Sequence, residues 1–261
     1  MEKPDGPEAK GFLERFQGRA DSYSKYRPSY PSGVLDTLRS EVGFVGEKVV
    51  ADIGSGTGIL SELFLANGNK VYCVEPNGDM RRAAEEKLQK YAPRFVSIDG
   101  TAEATGLEKS GVDLVAIGQA LHWFDLEKSK AEFARILRKD GHVSIVYNYR
   151  KEEGRVEKAY GKLIQKFEKD RASTPDVKDE YAARFLEEKS FKKFVMPNSQ
   201  ILDLRGLLGR LASASYMPRQ GDKAWAEIER EARGIIADYG ERGAVELHYD
   251  AVLYLGKIKR G

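Results

Sequence analysis

The chain has 261 residues, a length that suits one α/β domain with an added segment. Lysine and arginine total 43 against 41 aspartates and glutamates, and this balanced, well-mixed charge of +2 argues against a nucleic-acid partner. One cysteine rules out an internal disulfide, three isolated histidines give no metal-ligand spacing, and no apolar run approaches the roughly 20 residues of a membrane span. We therefore expect a cytoplasmic protein, monomeric or homodimeric, without metal, membrane or nucleic-acid partners.

The first 45 residues predict a helical segment in front of the main domain. Its predicted elements are a disordered start and two helices, at 1–10, Phe12–Ala20 and about 32–42. Between the helices, Tyr23, Tyr26, Arg27 and Tyr30 combine aromatic rings with one guanidinium. Such a segment suits a lid, because rings exclude water and arginine binds a carboxylate through two hydrogen bonds. Simple docking of an N-terminal helix is the alternative.

Residues 46–150 alternate between strand and helix patterns. Strands are predicted over Lys48–Ile53, Lys70–Glu75, Phe95–Asp99, Val112–Ile117 and His142–Tyr147. Helices are predicted over Gly58–Ala66, Asp79–Lys90 and Leu126–Arg138. This rhythm predicts an α/β fold with a doubly wound, mostly parallel sheet and right-handed crossovers.

The chain changes character after residue 150. Residues 151–195 are rich in lysine and glutamate with apolar residues at helical spacing, which predicts a helical insertion of one or two helices broken near Ser173–Pro175. This insertion either caps a substrate pocket or forms a surface helix pair. Residues 196–261 are predicted to complete the sheet, through a strand at Ser199–Asp203, a helix at Asp222–Tyr239 and a strand at Ala244–Leu255.

A glycine-rich loop follows the first predicted strand and marks the ligand site. Gly54, Gly56 and Gly58 are spaced G-x-G-x-G, so neither the G-x-G-x-x-G dinucleotide pattern nor a phosphate loop is present. Glycine allows a ligand to approach the backbone closely, and the following helix offers free N–H groups to a carboxylate. Asp52, expected at the rim of this site, would repel a pyrophosphate and attract an ammonium group. Glu75 ends the next strand, where a carboxylate can accept two ribose hydroxyls.

These residues resemble motifs of the class I S-adenosylmethionine (SAM)-dependent methyltransferases. Asp52–Gly58 is similar to their first motif and Val74–Asn77 to the second, while Gly100–Glu103 is similar to the third. Ala120–Phe124 and Tyr26–Pro31 narrow the likeness to the small-molecule branch near the trans-aconitate methyltransferases. The resemblance implies SAM as cofactor, S-adenosylhomocysteine as product, a seven-stranded Rossmann-like sheet, and a last strand that runs antiparallel at or near its edge.

The other candidate residues follow strand ends, where open α/β sheets bind ligands. The predicted cofactor residues are Tyr26, Arg27, Asp52, Gly54, Ser55, Gly56, Gly58, Glu75, Pro76, Asn77, Thr101, Ala102, Glu103, Gly118 and Gln119. The predicted acceptor residues are Tyr23, Trp123, Ser213, Tyr216 and Arg219. His122 is the candidate catalytic residue, as a base for a hydroxyl or acidic carbon, or as a positioning group.

We therefore predict a SAM-dependent methyltransferase that acts on oxygen or carbon of a small molecule. An RNA or protein methyltransferase is the alternative within this chemistry, although the chain lacks a [DN]-P-P-[YFW] motif after the fourth strand. Two alternatives come from other functional classes. An NAD-dependent oxidoreductase conflicts with the glycine spacing, and a SAM-binding module without turnover remains open.

Overall fold

A computed structural model of the chain describes residues 20–169 and 179–258. The predicted disordered start, all but the last residue of the predicted helix at Phe12–Ala20, and the predicted break near Ser173–Pro175 lie outside these residues. Seven strands form one sheet, namely β1 Val49–Ile53, β2 Lys70–Val74, β3 Phe95–Ile98, β4 Val112–Gly118, β5 Leu137–Arg150, β6 Lys192–Asp203 and β7 Ala244–Gly256.

The strand order is β3-β2-β1-β4-β5-β7-β6. The first five strands pair in parallel, and β7 pairs antiparallel with both β5 and β6. The order reverses at β1 and β4, which makes the sheet doubly wound and opens a crevice at the carboxyl ends of these strands. The predicted fold is confirmed, with the last strand next to the edge.

Helices cover both faces of the sheet. They are α1 Ala20–Tyr26, α2 Gly33–Val42, α3 Ile59–Ala66, α4 Gly78–Leu88, α5 Leu126–Ile136, α6 Arg155–Phe167, α7 Asp179–Phe185, α8 Leu204–Ala212 and α9 Trp225–Tyr239, with short 3₁₀ turns at Gln89–Tyr91 and Leu121–Trp123. One apolar core lies under α2 and α3 and another under α5 and α7. A third joins α6, α8 and α9 to β7. None of the helices in the described ranges is long and apolar enough to cross a bilayer.

The structure corrects the predicted sheet edge. The sixth strand, predicted over Ser199–Asp203, begins seven residues earlier at Lys192, and its residues pair with β7 throughout. Its amino-terminal half begins with two lysines and contains Pro197, a residue that an edge strand tolerates because one side of the strand faces no partner. The helix α8 was not predicted; it follows β6 directly, and Asp203 caps it by accepting from the Gly206 N–H at 2.7 Å.

Candidate active site

The glycine loop after β1 combines two packing glycines with one that faces open space. Gly54, Gly56 and Gly58 have φ angles of 66°, 55° and 77°, which only glycine adopts readily. A Cβ at Gly58 would lie 2.4 Å from Leu88 of α4, and one at Gly54 would lie 2.8 Å from Ala120. A Cβ at Gly56 meets no atom within 4 Å. Gly56 therefore exposes bare backbone to whatever occupies the crevice.

We expect Gly56→Ala to weaken binding of S-adenosylhomocysteine by about tenfold to a hundredfold, because the methyl group intrudes where the ligand approaches the backbone. Gly43→Ala is a matched control. Gly43 has φ 61° and its added Cβ also meets nothing within 4 Å, but it ends α2 at the opposite end of β1. Both variants place alanine at a positive φ angle and so carry similar backbone strain. If calorimetric titration gives the two variants the same affinity for S-adenosylhomocysteine, the ligand does not bind against Gly56.

Asp52, predicted at the rim of the site, lies in the interior beneath this loop. Its side chain is fully buried in β1, where Oδ2 accepts a hydrogen bond of 2.5 Å from Ser61 Oγ in α3. Oδ1 has no hydrogen-bond partner. Burial raises the pKa of Asp52 to about 7, against the opposing effect of the Ser61 bond. A buried carboxylate with a free oxygen is suited to a cationic ligand group.

Glu75 closes the crevice on the β2 side. Its carboxylate accepts from the Gly56 N–H through Oε2 and from the Asn77 N–H through Oε1, both at 2.9 Å. Burial raises its pKa to about 7, although these two hydrogen bonds favour the charged form. Glu75 and Asp52 therefore form a pair of buried acids on either side of the loop.

Several predicted cofactor residues have structural partners. Asn77 Oδ1 caps α4 by accepting from the N–H groups of Asp79 and Met80, and Pro76 is half-buried beside it. Glu103 Oε1 accepts from the Asp125 N–H at the start of α5, at 2.9 Å, so this carboxylate holds its loop to the helix.

The neighbouring residues of that loop also face the protein. Thr101 Oγ1 accepts from the Ala104 N–H, and Ala102 is buried. The three residues Thr101, Ala102 and Glu103 follow β3 at the edge of the crevice, where their backbone groups remain the candidates for contact with a ligand.

The end of β4 lies under a tyrosine of the N-terminal segment. A Cβ at Gly118 would stand 2.8 Å from the Tyr30 hydroxyl, so only glycine leaves room for this ring. Gln119 has φ 58°, a strained conformation for a residue with a side chain, and its N–H donates to the Val146 carbonyl. The strand end is thus shaped by the segment above it and by β5 beside it.

His122 lies on the 3₁₀ turn after β4, half-buried against two aromatic rings. Its Nδ1 is 3.2 Å from the Tyr147 hydroxyl at the end of β5, and its ring centroid is 4.7 Å from that of Trp123. Burial lowers the pKa of His122 to about 4, so the imidazole is neutral at physiological pH. Burial also raises the pKa of the Tyr147 phenol.

The segment from Tyr23 to Tyr30 docks on α8 and on the edge strand β6. Tyr26 packs its ring on Gly209 of α8, and its carbonyl accepts from Gln200 Nε2 at 3.0 Å. Arg27 Nη2 donates to the Ser213 carbonyl at 3.1 Å, and the guanidinium stacks on Tyr23 at 4.7 Å from the ring centroid. Tyr26, predicted to bind cofactor, therefore contacts α8.

The predicted acceptor residues Ser213, Tyr216 and Arg219 lie in the segment that follows α8. Ser213 is fully buried and its hydroxyl donates to the Arg210 carbonyl at 2.7 Å, so only its backbone carbonyl reaches Arg27. Arg219 is exposed in a turn where its N–H donates to Asp222. Tyr216 lies half-buried near Arg27 and Arg210.

Sequence reasoning missed four residues that the structure brings to the site. They are Ser61 beneath Asp52, Tyr30 over Gly118, Tyr147 against His122, and Arg210 near Arg27. Tyr30 was noted in the segment but not assigned to the site. Tyr147 ends a predicted strand, and its position at a strand end could have identified it as a site residue. Arg210 lies in α8, a helix that was not predicted.

Comparison with known proteins identifies the domain. Residues 51–145 match the methyltransferase domain family. The chain carries a class I methyltransferase domain. An uncharacterized methyltransferase of Mycobacterium tuberculosis is 34% identical over 137 residues, which are 52% of this chain and 53% of that protein. The chain thus spans about half the length of this curated relative.

Solved structures share the fold. A putative type II methyltransferase from Anaeromyxobacter dehalogenans superimposes with a TM-score of 0.66 at 23% identity, covering 90% of this chain and all of that one. The geranyl diphosphate C-methyltransferase of Streptomyces coelicolor, solved with Mg²⁺, geranyl diphosphate and S-adenosylhomocysteine, gives 0.54 at 12% identity over 99% of this chain and 100% of that one. The predicted class is confirmed, and the trans-aconitate branch stays a prediction. Within the described residues, no cluster of three or more His, Cys, Asp or Glu could hold a metal ion.

Proposed function

We propose that this protein transfers a methyl group from SAM to oxygen or carbon of a small-molecule acceptor. The observation that carries the proposal is the crevice at Gly56, flanked by the two buried carboxylates of Asp52 and Glu75. Open backbone beside buried acids fits a ligand with ribose hydroxyls and a cationic amino acid group. The methyltransferase domain and the relatives' names support methyl transfer as the reaction.

The residues present fit SAM at three points. Gly56 leaves room for the ligand against its backbone, the free Oδ1 of Asp52 can accept from an ammonium group, and Glu75 can accept from ribose hydroxyls. When bound, SAM supplies a methyl group on a positively charged sulfur. The protein then has mainly to align the acceptor with that methyl group and to exclude water.

The residues on the acceptor side surround the end of β4. Tyr30 covers Gly118, and His122 and Tyr147 contact one another across the ends of β4 and β5. A neutral imidazole beside a phenol can position an acceptor hydroxyl or take its proton. These groups lie next to the strand end at which the resemblance places the transferred methyl group.

The direct test is an activity screen with radiolabelled SAM against carboxylic acids, phenols and lipid precursors, alongside RNA and protein substrates. Label in a small organic product supports the proposal. Label in RNA or protein moves the function to those acceptors, and tight SAM binding without any product indicates a binding module. Calorimetry that shows micromolar NAD binding and no response to SAM would overturn the cofactor assignment.

His122→Ala is expected to lower turnover by about tenfold or less while the affinity for SAM stays nearly constant, because the side chain positions the acceptor. Since its pKa is about 4, the rate should show no inflection near pH 6.5 that depends on His122. Tyr147→Phe keeps the ring and removes the hydroxyl contact, so it should reproduce part of the loss. A loss of about 10²–10⁴-fold in His122→Ala would instead indicate a general base.

We further propose that the Tyr23–Tyr30 segment acts as a lid, and Gly209→Ala tests this. An added Cβ at Gly209 would lie 2.2 Å from the Tyr26 ring, which forces the segment off α8. We expect weaker binding of S-adenosylhomocysteine and faster hydrogen exchange over this segment. Gly234→Ala in α9 is the control, because its Cβ meets nothing within 4 Å and should stabilise the helix slightly. If Gly209→Ala binds the ligand as the wild type does, the segment is a docked structural element and not a lid.

A further inference from the structure

Arg210 is a buried cation with unused hydrogen-bond donors. It lies on α8 with 8% of its surface exposed, and its Nε and Nη1 atoms have no hydrogen-bond partner. Its surroundings are phenols, with Tyr160, Tyr216 and Tyr249 close to the guanidinium. No acidic side chain of residues 20–169 or 179–258 forms an ion pair with it. A buried guanidinium is normally paired, because the free energy of burying an unpaired charge is high.

Arg27 brings a second guanidinium to the same place. Its Nη2 donates to the Ser213 carbonyl, three residues beyond Arg210, while its Nε is buried without a hydrogen-bond partner. Burial and the positive charge of Arg210 both lower the pKa of Arg27. The two arginines therefore repel one another in the interior, and both keep N–H groups available. A single oxyanion between them would satisfy these donors and offset the repulsion.

The position of the pair favours the acceptor over the cofactor. Tyr249, near Arg210, is in β7, which lies three strands away from β1 in the sheet. At about 4.8 Å between neighbouring strands, β7 lies roughly 14 Å from β1, the strand that leads into the glycine loop. Arg27 is close to Tyr30, which covers the end of β4. Tyr30 thus lies near both the strand end beside His122 and the arginine pair.

We infer that Arg27 and Arg210 form a binding site for an oxyanion, a carboxylate or phosphate group, on the methyl acceptor. This inference rests on the proposed function and narrows its substrate class to anionic small molecules. Arginine suits this role because its planar guanidinium matches both groups through two parallel hydrogen bonds. The surrounding phenol rings keep water away from the guanidinium groups.

Binding is tested by calorimetric titration of the full chain, loaded with S-adenosylhomocysteine, with citrate and separately with inorganic pyrophosphate. The wild type should bind at least one probe saturably, and Arg210→Met should weaken that binding by about tenfold or more. Arg205→Met on the exposed face of α8 is the matched control and should have no effect. Arg27→Lys, which keeps the charge but loses the paired donors, should give an intermediate loss. Absence of probe binding to the wild type, or equal binding by the Arg210 and Arg205 variants, overturns the inference.

A second arm distinguishes the acceptor from the cofactor's own carboxylate. Each variant is titrated with S-adenosylhomocysteine and with methylthioadenosine, which lacks the amino acid carboxylate. If every variant binds both nucleosides as the wild type does, the arginines belong to an acceptor site. If Arg210→Met selectively loses affinity for S-adenosylhomocysteine, the arginines bind the cofactor's carboxylate, and the inference of an acceptor site is overturned. If the wild type binds neither nucleoside, the proposed function fails, and titration of the unloaded protein with citrate still reports on the arginine pair. Melting temperatures show whether each variant is folded. If Arg210→Met does not fold, Arg27→Lys replaces it as the test variant.

Discussion

Asp52→Asn is expected to raise the melting temperature of the ligand-free protein at pH 8 and to weaken its binding of S-adenosylhomocysteine. Asp52 has a pKa of about 7 when folded, against an ordinary value of 3.8. Between these values the folded protein holds a proton that the unfolded chain releases, so stability falls as the pH rises through this window. At 1.36 kcal/mol per pH unit, the loss above pH 7 is roughly 4 kcal/mol. Asparagine removes this loss and retains an oxygen that can accept from Ser61.

The same variant should lose affinity because asparagine cannot neutralise the ligand's ammonium group. Thermal melts at pH 5 and 8, with and without ligand, measure both effects. The control is Asp113→Asn in the adjacent strand β4. Burial opposes ionisation there, but bonds from the Val49 N–H, Arg138 and Lys48 hold the pKa of Asp113 below its usual value. That variant should lose stability at pH 8 and keep its affinity. If Asp52→Asn instead lowers the melting temperature and leaves ligand affinity intact, the cation site is excluded.

Glu75→Ala is expected to weaken binding of S-adenosylhomocysteine by about 1.5–3 kcal/mol, the range for hydrogen bonds to a charged group. The carboxylate lies beside Gly56, where its oxygens can exchange a backbone N–H for a ribose hydroxyl. Calorimetric titration gives the affinity. Glu85→Ala on the exposed side of α4, where the carboxylate accepts from Ser97 Oγ, is the control and should leave the affinity unchanged.

A ligand analogue separates the ribose contact from damage to the loop. The 2′-deoxy analogue of S-adenosylhomocysteine should bind more weakly than the natural product to the wild type, but equally to Glu75→Ala. Such a double-mutant cycle isolates the interaction of carboxylate and hydroxyl. If the 2′-hydroxyl contributes as much to binding in the variant as in the wild type, Glu75 does not hold the ribose.

Local sequence patterns predicted most of the sheet and the place of the crevice. The alternation of apolar runs and helices from Val49 to Tyr147 reflects the periods of strands and helices, which neighbouring residues alone define. The predicted loop at Gly54–Gly58 has the positive φ angles that its glycines suggested. The start of β6 was missed because its apolar run, Phe194–Met196, is short and lies between two lysines and Pro197. Pairing with β7 along its whole length makes it a strand.

What the sequence alone determined is therefore the order of strands and helices from Val49 to Tyr147, the glycine loop and the acids beside it, since each depends on residues close together in the chain. The tertiary structure decided which side chains meet. It buried Asp52 under Ser61, lowered the pKa of His122 in an aromatic wall, and brought Arg27 to Ser213, 186 residues away in sequence and next to Arg210. Burial and charge pairing arise only when helices pack on the assembled sheet, and no local pattern in the sequence encodes that packing.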